Sequence, residues 1–218
     1  MKTIQTLFLA LLATACLSGW SAQAQITCDT AYEKTMTSAL AQLDSAHTPA
    51  LLLQCKNQFE RIVQTYPAEW LPLYYAAYCG INSVYYNPKS EQNEAFLTEA
   101  LQRIETLHSF PKADPSEINT LHAYALTARV VLNPQTNGQK YFAEIIRLYE
   151  QAMEENPENP RPVVLLADFE QHLPDFIRSG KRNPVEEYAK ASALFEKEKP
   201  NIEKPYWGKY FLEQGKTK

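Results

Sequence analysis

Glycine is scarce in this chain, six in 218 residues, and cysteine scarcer still, with four. Few glycines, together with 14 prolines that mostly flank apolar-periodic stretches, argue for helices joined by stiff turns. No window alternates apolar and polar residues at period two, so no sheet is expected. Long apolar runs are missing as well. The longest, around Leu7 to Ala15, is far short of the roughly 20 residues that a membrane-spanning helix needs. Basic charge is in deficit, with 21 Lys and Arg against 25 Asp and Glu. Affinity for a phosphate backbone comes from clustered cations, so nucleic acid is a poor partner. Catalytic signatures are absent too: there is no Gly-x-Ser-x-Gly elbow, phosphate loop, His-Glu-x2-His or paired-cysteine zinc spacing. His47, His108, His122 and His172 are scattered. Asp168 and His172 stand four apart on one helical face, but two ligands do not close a metal site. No cofactor and no metal is expected, and the chain is not expected to be an enzyme.

What is present begins with an export signal. Lys2, the apolar run and the small-x-small triplet Ala22-Gln23-Ala24 read as a secretory signal peptide over residues 1–24, leaving Gln25 first in a single domain over 25–218. A lipoprotein anchored through Cys16 is the alternative, against which stands Ala13 where a leucine is usual. Either way the expected location is periplasmic or secreted. Cleavage removes Lys2 and no carboxylate, which makes the remainder more acidic by one charge than the full chain's −4. Export permits a disulfide, and Cys55 with Cys79 is the one pairing the helix positions allow; small buried thiols are the competing reading.

The clearest stretch runs from Gln139 to Pro162. Phe142, Ile145, Ile146, Tyr149, Ala152 and Met153 fall at steps of three and four, so they share one helix face, while Glu144, Arg147, Glu150 and Glu154 take the other. Asn156-Pro157 ends the pattern. Similar stretches are expected over 27–46, 50–65, 69–86, 91–109, 116–132, 162–177, 185–199 and 205–214, with Ser116 as a candidate N-cap and Asn133-Pro134 with Gly138 as a turn. Aligning the second helix of each pair brings Phe59, Ile104, Tyr149 and Phe195 into register at about 45 residues, and Pro67, Pro111, Pro157 and Pro200 follow nearly the same spacing.

Cys55-x3-Phe59-x2-Ile62-x4-Pro67 and Ile145-x3-Tyr149-x2-Ala152-x4-Pro157 resemble the second-helix motif Ala-x3-Phe-x2-Ala-x4-Pro of the tetratricopeptide-repeat superfamily. Ala100-x3-Ile104-x2-Leu107 and Ala191-x3-Phe195 match in part, and the first-helix signature is replaced by Leu73-x2-Ala76-Ala77-x2-Gly80 and by Val163-x2-Leu166-Ala167. The period is longer than the family's roughly 34 residues. The resemblance implies an all-α, right-handed α-solenoid of about four antiparallel hairpins, with a short C-terminal helix carrying Tyr206, Trp207, Tyr210 and Phe211 as a cap on the last exposed face. It also implies a concave groove lined by the first helix of each pair: Tyr74, Tyr78 and Asn82, then His122 and Arg129, then Asp168, Gln171 and His172.

Tyrosines and an arginine are the residue types that make binding hot spots. The expected function is therefore a scaffold gripping a peptide or protein partner in that groove. The alternatives are an envelope enzyme or small-ligand or glycan receptor with a pocket near the tyrosine-rich helix 69–86, and an oligomer-forming structural protein. Arg178, Lys181 and Arg182 form a small basic patch that reads as a solvated loop.

Overall fold

The computed structural model describes residues 30–173 and 182–214. The expected signal peptide, Cys16, Cys28, Pro174, Arg178 and Lys181 lie outside them. The described residues are all-helical, with no strand among them. Helix α1 covers residues 30–44, followed by α2 (Pro49–Thr65), α3 (Leu71–Tyr86), α4 (Asn93–Leu107), α5 (Pro115–Leu132), α6 (Pro134–Glu155), α7 (Pro160–Gln171), α8 (Pro184–Lys197) and the single turn α9 (Phe211–Gln214).

Five of these helices start the same way. A polar residue precedes a proline, and its side chain accepts from a backbone N–H one turn in: Thr48 from Leu51, Asp114 from Ser116, Asn133 from Thr136, Asn159 from Arg161 and Asn183 from Val185. Proline at the first helical position gives up no bond, since that N–H has no intrahelical acceptor. Two expectations are corrected here. The N-cap of α5 is Asp114, not Ser116, whose hydroxyl instead donates to the carbonyl of Ala152 at 2.7 Å. Asn133-Pro134 starts α6 at once, so Gly138 lies inside the helix, where an added Cβ would meet open space.

Consecutive helices pack in adjacent pairs, and α3, α5 and α7 also touch one another to form a layer. The four aligned centres Phe59, Ile104, Tyr149 and Phe195 fall on α2, α4, α6 and α8, and all are buried in one continuous core. Phe59 stacks on Tyr75 of α3 at 5.2 Å. Equivalent burial at that spacing is what repeated helix pairs require, since no pair can cover its own apolar face. Cys55 and Cys79 are buried free thiols on the neighbouring helices α2 and α3, and burial raises both thiol pKa values. Among the described residues no helix is long and apolar enough to cross a membrane.

The C-terminal segment departs most from expectation. Only Phe211–Gln214 is helical; residues 198–210 run without regular structure. From residue 200 this segment and α9 form a strap that touches α7 and α8 through α9, but it also lies against α3 and α5 through Trp207, so it covers the face of the layer as well as the last pair. Gly208, at φ 99°, allows the bend: Arg161 Cγ and Phe195 Cζ stand 3.3 and 3.4 Å from where a Cβ would be.

Candidate aromatic binding face

The α3–α5–α7 layer presents an aromatic surface, and the strap is bound to half of it. Helical spacing puts Tyr74, Tyr78 and Tyr85 on one side of α3, facing Tyr124 of α5. Tyr85 stacks on Tyr124 at 5.0 Å and Tyr78 lies nearly parallel to Tyr124 at 6.3 Å. Trp207 of the strap sits 4.5 Å from Tyr78 and 5.5 Å from Tyr124, and Phe211 meets Tyr124 edge-on at 6.1 Å. Such pairs add about 0.5–1.5 kcal/mol each beyond the area they bury.

Polar atoms in this cluster are paired. Asn82 donates from Nδ2 to the Tyr78 carbonyl and accepts the Tyr124 hydroxyl proton at Oδ1, 3.2 Å away. Burial pushes the phenols of Tyr78, Tyr85 and Tyr124 well above their usual pKa. Tyr210 points its hydroxyl toward those of Tyr124 and Tyr78, and burial raises its pKa to about 12. One side of that ring stacks on Phe211 at 4.2 Å, and 44% of the residue faces solvent. Tyr86 and Val131, at the C-terminal ends of α3 and α5, are exposed to 47% and 42%. The face therefore has a covered half under Trp207 and an open half beside Tyr210.

Beneath the covered half lies a charged network. Tyr74 donates to Glu117 Oε2 and accepts from the Trp207 indole, both at 2.9 Å. Arg161 Nε donates to Glu117 Oε1 at 2.8 Å, Nη2 to Glu198 Oε1 at 2.6 Å and Nη1 to the Trp207 carbonyl at 3.2 Å. The side chains of Arg161 and Glu117 are 3% and 4% exposed. Burial raises the Glu117 carboxyl pKa although Arg161 and the Tyr74 hydroxyl work against it. For Arg161, burial lowers the pKa, but the adjoining carboxylates more than reverse this and hold it firmly charged. The Tyr206 backbone N–H also donates to the Tyr75 hydroxyl at 2.9 Å.

The structure brings some of the sequence-derived groove residues together and separates others. Tyr74, Tyr78 and Asn82 do belong to one face, with Tyr74 wholly buried beneath Trp207. Asp168 and Gln171 of α7 lie beside the Tyr188 hydroxyl, whose pKa burial and Asp168 raise to about 12, and Asp168 is also within electrostatic reach of Tyr85 and Tyr210. His172 follows at the end of α7, its Nδ1 2.7 Å from the Asp168 carbonyl. His122 and Arg129 are on another side of α5. Arg129 pairs with Glu94 at 3.5 Å, and His122, whose pKa burial lowers, has Glu144, His108, Glu105 and Arg147 as its electrostatic neighbours. A step of roughly 100° per residue carries positions 122 and 129 well away from Tyr124. Sequence reasoning missed Glu117, Arg161 and Glu198, whose sole signal was ionisable side chains among buried neighbours. Among the described residues no group of three or more His, Cys, Asp or Glu is arranged to hold a metal ion.

Fold and face together define an all-helical protein of adjacent helix pairs with a tyrosine-rich surface partly covered by its own C-terminal segment. Among solved structures, the chain is similar to the HusA haemophore from Porphyromonas gingivalis, with 29% identity, a TM-score of 0.74, and coverage of 84% of this chain and 90% of that one. No protein-family model matches the chain, and neither does any curated protein.

Proposed function

We propose that this protein is an exported, non-catalytic binding protein whose ligand is haem or a closely related tetrapyrrole, held on the aromatic face of α3 and α5. The likeness to a haemophore over most of both chains carries the reading. The chemistry of the face supports it. A tetrapyrrole is a large, flat, apolar ring, and aromatic side chains offer it offset stacking with little side-chain entropy to lose. Ligand sites are mainly apolar with a few polar groups that fix orientation, as Tyr85, Tyr86 and Val131 with Asp168 provide here. Phenols are also among the side chains that ligate haem iron.

Titration of the purified chain with ferric haem and with iron-free protoporphyrin, followed by the Soret band, tests this. Saturable one-to-one binding of both is expected, and a featureless, non-saturating titration would sink the reading.

A second reading, a groove for a peptide or protein segment, is favoured by one observation: a stretch of polypeptide already lies on this face, tied by the Tyr75 and Tyr74 hydroxyls. The ferric haem titration separates the two readings, since a groove that takes only polypeptide gives no saturable Soret shift.

A further inference from the structure

We infer that the C-terminal strap, residues 200–214, is a displaceable latch that competes with the ligand for the aromatic face. The inference rests on the binding function proposed above and concerns how that site is regulated.

Four observations carry it. First, the neighbouring rings of Tyr78 and Tyr124 are covered by Trp207, itself a flat heteroaromatic ring. The open half offers a tetrapyrrole the exposed side chains of Tyr86, Val131 and Tyr210 and the edge of Tyr85. A ring of that size buries most of its area only when Trp207 is gone. Second, the strap follows α8 and carries no regular structure beyond the single turn α9, so lifting it breaks no hydrogen bond within α1 to α8. Third, its polar attachments spare the layer's own framework. Tyr75 and Tyr74 receive its N–H groups through side-chain hydroxyls that can rotate to new partners, while Arg161 keeps Glu117 and Glu198 after losing the Trp207 carbonyl. Fourth, the strap is not enclosed: Tyr206 and Tyr210 are each 44% exposed, and an open surface hollow of about 100 Å³ lies beside Trp207 among Phe195, Glu198, Tyr206 and Lys209.

A protein whose binding-competent form is only fractionally populated binds with an affinity reduced by that fraction. Removing the latch must therefore tighten binding, and binding must release the latch.

Two arms test this. A chain ending at Lys199, which retains Glu198 for Arg161, is titrated with ferric haem beside the full chain. Separately, the full chain is digested with trypsin with and without haem, and cleavage after Lys209 is followed by mass spectrometry. The expected results are affinity raised about tenfold or more in the shortened chain and faster cleavage after Lys209 when haem is bound. Equal or weaker binding by the shortened chain, or cleavage slowed by haem, overturns the latch and makes the strap a fixed wall, while the binding function stands. If the shortened chain loses its helical circular dichroism, the cleavage arm decides alone. Absence of haem binding by both chains overturns the function and the latch together.

Discussion

Two ion-pair networks in this molecule are built from the same residue types and do opposite work. On the outer helices, Lys56 bridges Glu60 and Glu99 at 3.1 and 2.8 Å, and Arg103 contacts the same two carboxylates, whose side chains are 33% and 44% exposed. Under the strap, Arg161 joins Glu117 out of water and reaches Glu198 at the edge of the network. The first clips α2 to α4 and adds little, because exposed pairs gain weakly against solvent screening. The second ties α7 to α5 and to Glu198 at the root of the strap. It was costly to bury, so losing one member leaves another charge stranded. Position, rather than the number of ion pairs, decides what each network does.

The sharpest way to break the comparison is to remove Arg161. Arg161→Leu strands Glu117, and a loss of about 3–5 kcal/mol is expected in urea unfolding; a loss under about 1 kcal/mol would erase the distinction. Trp207→Ala comes next. It deletes a half-buried ring and the bond to Tyr74, with an expected loss of about 2 kcal/mol, less than for a fully buried ring. Differential scanning calorimetry reads this, and no change in the transition temperature would mean that the strap is not seated on the face.

The pH dependence should separate the networks by sign. Glu117 has a raised carboxyl pKa, mainly from burial. The folded state therefore binds more protons than the unfolded one, and this group's contribution is full below its ordinary value of 4.5 and lost as pH rises through the raised folded value. Glu99 has a lowered pKa, first through its bond to Lys56, so its contribution is present above 4.5 and lost as pH falls through the folded value. Urea midpoints against pH for Glu117→Gln and Glu99→Gln should flatten slopes of opposite sign; two slopes of one sign would contradict the assignment. The smallest effect is expected from Glu99→Gln at neutral pH, within about 1 kcal/mol of the parent in the same experiment.

Much of the layered architecture was legible because burial leaves a period. Phe59, Ile104, Tyr149 and Phe195 mark equivalent positions by size and spacing alone, and the structure buries all four. Helix starts were less legible. Asn133-Pro134 and Asn183-Pro184 are turn signals and equally N-cap signals; only the bond from the asparagine side chain to the following N–H decides between them. The site was half legible. The tyrosines of α3 declare a face, but one face of α5 cannot be chosen from a helix buried nearly all round, so His122 and Arg129 were assigned beside residues that they do not approach. The strap left no periodic trace. Its course is set by contacts between residues about 130 positions apart, Tyr75 with Tyr206 and Tyr74 with Trp207.

The most direct test of the central claim uses exposed positions, where a substitution leaves the fold intact. Val131→Glu on the open half of the aromatic face should keep the parent's unfolding transition yet weaken ferric haem binding, read by the Soret band, by about tenfold or more, since a buried charge without a partner costs well over 1.4 kcal/mol. Unchanged affinity in that variant would contradict placement of the ligand on this face.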